Sequence, residues 1–266
     1  MNNIKGKWAL LLGASSGFGA ATALELAKNG VDIFGVHMDR KSGLEKVDKL
    51  NRDIRGYGVD CHYYNINAGD AEERKRVVLD IKKILSANNN INPCIFLHSL
   101  AFGTLRDFFP NDQTKAMEKK HIEMTMDVMA NSLVYWVQEL YYEGLLVKGS
   151  RIFAMTSAGA KRVWKTYGAV SAAKASLEAY IRQIAFELAS RGITANSIRA
   201  GATDTPALRK IPGCDYMLEG AQRKNPSARL TTPEDIAKVI ALLSSESSGW
   251  MTGNIIGVEG GENIVE

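Results

Sequence analysis

Cysteine is scarce: Cys61, Cys94 and Cys214 are odd in number, scattered, and never in C-x-x-C spacing. That excludes a disulfide framework and a cysteine zinc site, and the three read as buried or incidental thiols. The four histidines, His37, His62, His98 and His121, show no metal-ligand clustering, so no metal is expected. No apolar run approaches the roughly 20 residues that cross a bilayer, which excludes a membrane-spanning role. The net charge of +4, with a pI near 8.8, comes without long Lys/Arg runs, so no nucleic-acid partner is expected. Internal repeats and low-complexity linkers are missing too; the polar "SANNNINP" (86–93) is only long enough for a helix-to-strand loop. The opening "MNNIKGKWALLLGAS" runs almost at once into a strand-like segment and leaves no room for a signal peptide. A cytoplasmic location is the expectation.

What is present is an ordinary enzyme-like composition, 45% hydrophobic and 23% charged over 266 residues, enough to bury one sizeable core. Short apolar runs alternate with longer helical patterns. "WALLLG", "VDIFGVH", "CHYYNIN", "CIFLHS", "RIFAMTS", "ITANSIRAG" and "GNIIGVEGG" read as strands. Helices are expected over 20–29, 41–55, 71–86, 115–143, after Tyr167, and over 233–243, with a loop-rich segment before the last. Runs such as "ALLLG" and "CIFL" are apolar throughout, as strands covered on both faces should be. The pattern predicts an α/β fold, a doubly wound parallel sheet with helices on both faces, as a single domain over 1–266.

After the first strand comes Gly13-Ala14-Ser15-Ser16-Gly17-Phe18-Gly19, then a helix. Glycines at such a turn let backbone N–H groups approach a pyrophosphate, with the positive end of the helix behind them. The spacing is G-x-x-x-G-x-G, and its place in the first βα unit favours dinucleotide binding over a bare structural turn. At the end of the second strand, where the ribose 2′ position lies, the chain reads Val36-His37-Met38-Asp39-Arg40-Lys41. Two cations after Asp39 suit a 2′-phosphate, or start a solvated helix. The reading favours NADPH, with NADH as the alternative.

At this point the chain resembles the short-chain dehydrogenase/reductase family over nearly its whole length. Within that family it is most similar to the enoyl-[acyl-carrier-protein] reductases, of an atypical NADPH-type branch. The residues that carry the likeness are Gly13, Gly17 and Gly19; "LHSLAFG" (97–103), where most family ketoreductases carry an Asn-Asn-Ala-Gly turn; Tyr167 and Lys174, seven apart; "NSIRAGATDTPAL" (196–208); and "GNIIGVEGG". The resemblance implies a Rossmann-like fold and a homotetramer built in part through the C-terminal strand. Family alcohol dehydrogenases place a proton-relay asparagine in the long central helix; the corresponding residue here is Met129, and Asn131 would face elsewhere.

The seven-residue lead of Tyr167 has a chemical reading. In carbonyl reduction, hydride and proton go to adjacent atoms. In conjugate reduction, hydride goes to the β-carbon while charge develops on a thioester oxygen several bonds away, so the donor must move outward. Seven residues rise about 10.5 Å on a helix against about 6 Å for four, on nearly the same face. By this reading Tyr167 stabilises the enolate, and Lys174 holds the nicotinamide ribose and lowers the tyrosine pKa. Ser157, at the end of the preceding strand, contacts the substrate oxygen, and Val170 is a helix-packing residue.

The resemblance places Thr205 near the nicotinamide carboxamide or pyrophosphate, Gly201 and Thr203 also at the cofactor, Asn65 and Ile66 at the adenine, and His98 and Ser99 along the cofactor. Ser15, Ser16, Phe18, His37 and Arg40 complete the expected cofactor set. A substrate lid is expected over about 206–229, with Leu208 and Tyr216 toward an acyl chain; Phe102, Leu105 and Trp164 are expected pocket walls. Arg209, Lys210, Arg223 and Lys224 are cations available to an acidic carrier protein or a CoA phosphate, or are simply solvated. Two other readings remain: a carbonyl or alcohol oxidoreductase of 3-ketoacyl or hydroxysteroid type, and a non-catalytic NAD(P)-binding sensor or structural subunit.

Overall fold

In the computed structural model, which describes residues 4–90 and 92–265, the first strand β1 (Trp8–Leu12) already shows why the sheet is central. Trp8, Leu10 and Leu12 enter one hydrophobic cluster, Ala9 and Leu11 the other, so both faces of the strand are covered. The chain continues through α1 (Gly17–Lys28), β2 (Asp32–His37), α2 (Lys41–Arg55), β3 (Cys61–Asn65), α3 (Ala71–Ala87) and β4 (Cys94–His98). Next come α4 (Lys119–Met126), a π-helical turn (Asp127–Asn131), α5 (Ser132–Tyr142), β5 (Arg151–Ser157), α6 (Gly168–Leu188) and β6 (Thr194–Ala200). The chain closes with α7 (Cys214–Lys224), α8 (Pro233–Leu243) and β7 (Ile255–Val258).

The seven strands pair in parallel in the order β3-β2-β1-β4-β5-β6-β7. This is the expected doubly wound, Rossmann-like sheet in a single domain. Leu26 of α1, Ile54 of α2 and Ile240 of α8 cover one face; Ile81 of α3, Trp136 of α5 and Leu177 of α6 cover the other. The indole of Trp136 keeps its buried N–H satisfied by donating to Ala68 O at 2.9 Å. Winding reverses between β1 and β4, and a crevice opens there at the carboxyl ends of the strands. Among the described residues no helix is long and apolar enough to cross a membrane, and no group of three or more His, Cys, Asp or Glu is arranged to hold a metal.

Two element expectations change. The helix expected over 115–143 starts at Lys119 and is interrupted by the π turn at Asp127–Asn131, where the inserted residue reorients the side chains around it. Inside the loop-rich segment stands a full helix, α7, entered through Gly213 at φ +79° and burying only Leu218 and Ala221. So thin an apolar stripe leaves little periodicity to read.

Candidate active site

The turn after β1 is too crowded for side chains. A Cβ on Gly19 would collide with the Gly13 carbonyl, and one on Gly13, at φ +82°, would lie 2.6 Å from Ser99 O. At the start of α1, Ser16 makes no side-chain cap and no acidic residue occupies the first turn. The first N–H groups of the helix therefore face outward without a side-chain acceptor, as an anion-binding turn requires. Thr205, from the loop after β6, lies over Gly17 of the same turn, with its methyl 3.6 Å from where a Gly17 Cβ would be. These residues fit a dinucleotide pyrophosphate.

Beyond β2 the expected residues form a cluster of their own, outside the lining of the main cavity. His37 is buried, and its Nδ1 pairs with Asp39 Oδ2 at 2.9 Å. The Asn65 amide brackets the Asp39 backbone, accepting from its N–H and donating to its carbonyl, both at 3.0 Å. Partial burial pulls the Asp39 pKa up, but hydrogen bonds from the Ser15 hydroxyl and the His37 ring outweigh it and hold the carboxyl below its usual range. Ile66 belongs to the core beneath. Arg40 and Lys41, at the start of α2, are exposed and make no ion pair among the described residues.

The other expected residues converge on a cavity of about 520 Å³. Phe18, Ser99, Leu105, Ser157, Trp164, Tyr167, Lys174, Gly201, Thr203, Thr205, Leu208 and Tyr216 all line it. Lys174 enters from the second turn of α6, is 6% exposed, and donates to Met155 O at 2.6 Å. Burial lowers its pKa to about 8, against the opposing charge of Glu178 one turn on. Glu178 is itself buried and accepts from Thr156 Oγ1 at 2.7 Å.

Tyr167 is the N-cap residue of α6, placed there by Thr166 in the left-handed region at φ +63°. That conformation is an outlier for a β-branched residue and marks local strain beside the tyrosine. Burial pushes the Tyr167 pKa up, partly offset by the Ser157 hydroxyl beside it. The net shift is therefore upward, not the expected lowering, because burial dominates it. Val170 is buried as expected and also forms part of the cavity wall.

The ring of Tyr167 packs on Gly159, where an added Cβ would sit 2.6 Å from Cε1. Gly159→Ala is expected to displace the hydroxyl and lower kcat on the order of tenfold, less than the roughly 100-fold of a full 1 Å misplacement. Cofactor affinity should stay unchanged, and steady-state kinetics beside cofactor titration check both.

Three expectations are corrected. Phe102 is not a cavity wall: it is 51% exposed, because Gly103 packs tightly against Thr125, Met129 and Val170 and turns its neighbour outward. His98 does not line the cavity; it lies buried below, with Nε2 at 2.8 Å from Ser132 Oγ. Burial and the nearby Lys174 charge lower its pKa to about 3, so the ring stays neutral. Arg209 is not a free cation, since its guanidinium forks onto Asp204 (2.5 and 2.6 Å) and Asp215 (2.6 Å).

The site also contains residues the sequence did not assign. Met155, Arg162 and Glu262 line the cavity, beside the Met129 that the sequence set at the relay position. Asn131 is turned to α6, where Tyr180 Oη donates to its Oδ1 at 2.9 Å. Arg162, Lys210, Arg223 and Lys224 stand around the cavity with no ion pair among the described residues. Trp164 stacks on Tyr216 (6.4 Å, 27°) and donates to Pro212 O at 3.2 Å, joining the loop before α6 to the segment above the cavity.

Comparison with known proteins gives the family and the fold. The family model described as enoyl-(acyl carrier protein) reductase matches residues 13–263. The chain is 29% identical over 250 residues to the enoyl-[acyl-carrier-protein] reductase [NADH] FabI of Buchnera aphidicola, covering 94% of this chain and 90% of that protein. It is 25% identical over 258 residues to the 3-oxoacyl-[acyl-carrier-protein] reductase FabG of Thermotoga maritima, covering 97% and 98%. In fold it is similar to the crystal structure of FabI from Candidatus Liberibacter asiaticus, with TM-score 0.86, 23% identity, and coverage of 100% and 98%.

Proposed function

The chain belongs to the short-chain dehydrogenase/reductase family, and within it to the group described as enoyl-(acyl carrier protein) reductase, and from that premise we propose that this oxidoreductase reduces the α,β double bond of an enoyl thioester. Relatives that reduce enoyl and 3-oxoacyl thioesters are equally near, so the choice between them rests on the site. The observation that carries it is Met129. Buried against the cavity, with Val170 beside it, it makes an apolar wall where the family's carbonyl chemistry uses a polar relay.

When bound, the nicotinamide supplies hydride to the substrate β-carbon. The residues of the chain handle the charge that results. Tyr167 donates a hydrogen bond from its O–H to the thioester oxygen as the enolate forms there, an oxyanion interaction that needs no reorganisation at the moment of reaction. A proton taken up from solvent at the α-carbon completes the reduction. Ser157, whose Oγ is fixed by the Gly159 N–H at 2.9 Å, keeps its own hydroxyl proton for the tyrosine or the substrate oxygen. Lys174, anchored on Met155 O, turns its remaining N–H groups to the ribose hydroxyls.

The same reading gives NADPH. The Asp39 charge is taken up by Ser15 and His37, whereas the exposed Arg40 and Lys41 are available to a 2′-phosphate. Residues 206–229 act as the lid, latched through Trp164 and Tyr216. The cations around the cavity suit the phosphate of a CoA or of an acyl-carrier protein. A cytoplasmic homotetramer completes the proposal: β7 is one of the two edge strands of the sheet, and Trp250, shortly before it in the chain, is 99% exposed, an apolar surface for a second copy to cover.

The test is NAD(P)H absorbance with crotonyl-CoA against acetoacetyl-CoA, each with NADPH and NADH. Consumption with crotonyl-CoA, faster with NADPH, is expected. Consumption with acetoacetyl-CoA alone would assign the protein to carbonyl reduction.

A further inference from the structure

The segment after β7 bends back over the site through Gly260 (φ +60°) and Gly261 (φ +88°). It carries Glu262 to the loop that follows β6. There Glu262 Oε2 accepts a hydrogen bond from the Ala202 N–H at 2.9 Å. The carboxylate lies so close that a Cβ on Gly201 would stand 2.8 Å from it. Within the same loop Thr203 Oγ1 donates to Gly201 O at 2.9 Å, and Thr205 Oγ1 accepts from Leu208 N at 3.2 Å. Glu262 itself lines the reaction cavity. The segment also holds the far end of the lid: Asn225, 6% exposed, donates Nδ2 to Glu259 O at 2.9 Å.

We propose that Glu262 is a positioning residue of the active site, holding the loop 201–205 in the shape that meets the cofactor. A bond from a carboxylate to a backbone N–H is among the stronger ones, and a loop already held in its bound shape spares the cofactor the cost of ordering it. The inference rests on the reading of Thr203 and Thr205 as cofactor contacts, and that dependence shapes the experiment.

NADPH titration of the full-length protein, followed by tryptophan fluorescence, gives Kd for Glu262→Ala, Glu262→Gln, Glu262→Met and Thr205→Val. Glu262→Ala is expected to raise Kd about tenfold, the loss of one charge-assisted bond at the lower end of its range, and to speed amide exchange at Ala202. Glu262→Gln keeps an acceptor oxygen and should return to within about threefold of the parent. Glu262→Met keeps the bulk without the acceptor and decides the matter if the alanine variant fails to fold. Parent-like Kd in Glu262→Ala or Glu262→Met, or a Gln variant as weak as Ala, would overturn the inference. If Thr205→Val weakens binding while those variants do not, only the role of Glu262 falls. If Thr205→Val is also parent-like, the loop's cofactor role falls first.

Discussion

Tyr167→Phe is expected to lower kcat with crotonyl-CoA by 10²- to 10³-fold, about 3–4 kcal/mol of transition-state stabilisation, while NADPH affinity stays within about twofold. Phenylalanine keeps the ring against Gly159 and leaves the backbone cap of α6 intact, so only the donor is lost. Because burial raises the tyrosine pKa above its ordinary value, the hydroxyl is protonated throughout the neutral range. It acts as a donor without needing a pH-dependent activation step, and the variant should keep the parent's pH profile at its lower rate. Cofactor titration and steady-state kinetics on the same preparation separate the two effects. A variant retaining more than about a tenth of the parent kcat would mean that the developing oxyanion is held elsewhere.

The layered sheet was legible because the strands carry unbroken apolar runs and the helices separate them. Trp8 to Leu12 has no polar position at all, and only a strand covered on both faces can use such a run. The glycine turn was legible for a related reason: Gly13 and Gly19 stand where backbone passes backbone, a constraint recorded in residue type. Tyr167, Ser157 and Lys174 follow from one strand-loop-helix unit, so their meeting needs little long-range information.

What stayed hidden depends on contacts between distant segments. Phe102 looks like a pocket wall in sequence, and only the packing of Gly103 on Met129 and Val170 turns it to solvent. Glu262 is about 60 residues from Ala202, and nothing local in "GGENI" distinguishes its carboxylate from a solvated one. The left-handed Thr166 runs against local preference altogether, since β-branched residues avoid that conformation. Surrounding structure has to impose it, and it falls directly beside the proposed catalytic tyrosine.

Lys174→Ala is expected to weaken NADPH binding by about 100-fold and to lower kcat as well, because the lysine serves both steps. Loss of hydrogen bonds from a charged donor is worth roughly 1.5–3 kcal/mol each, and the Nζ has N–H groups left after its bond to Met155 O. The parent should carry the signature of this lysine in its pH dependence. Burial lowers its pKa from 10.5 to about 8, so the folded protein releases this proton before the unfolded chain does. Between those values the unfolded state binds more protons, and stability from this group therefore rises with pH. The penalty is full below pH 8, on the order of 3 kcal/mol, and disappears toward 10.5. Activity runs the opposite way: kcat/KM for NADPH should fall as pH rises through about 8, where the charged donor is lost. Thermal melts and kinetics across pH 7 to 10 should therefore diverge. Unchanged NADPH affinity in Lys174→Ala would remove the lysine from the ribose. An alkaline limb still present in that variant would assign the titration to another group.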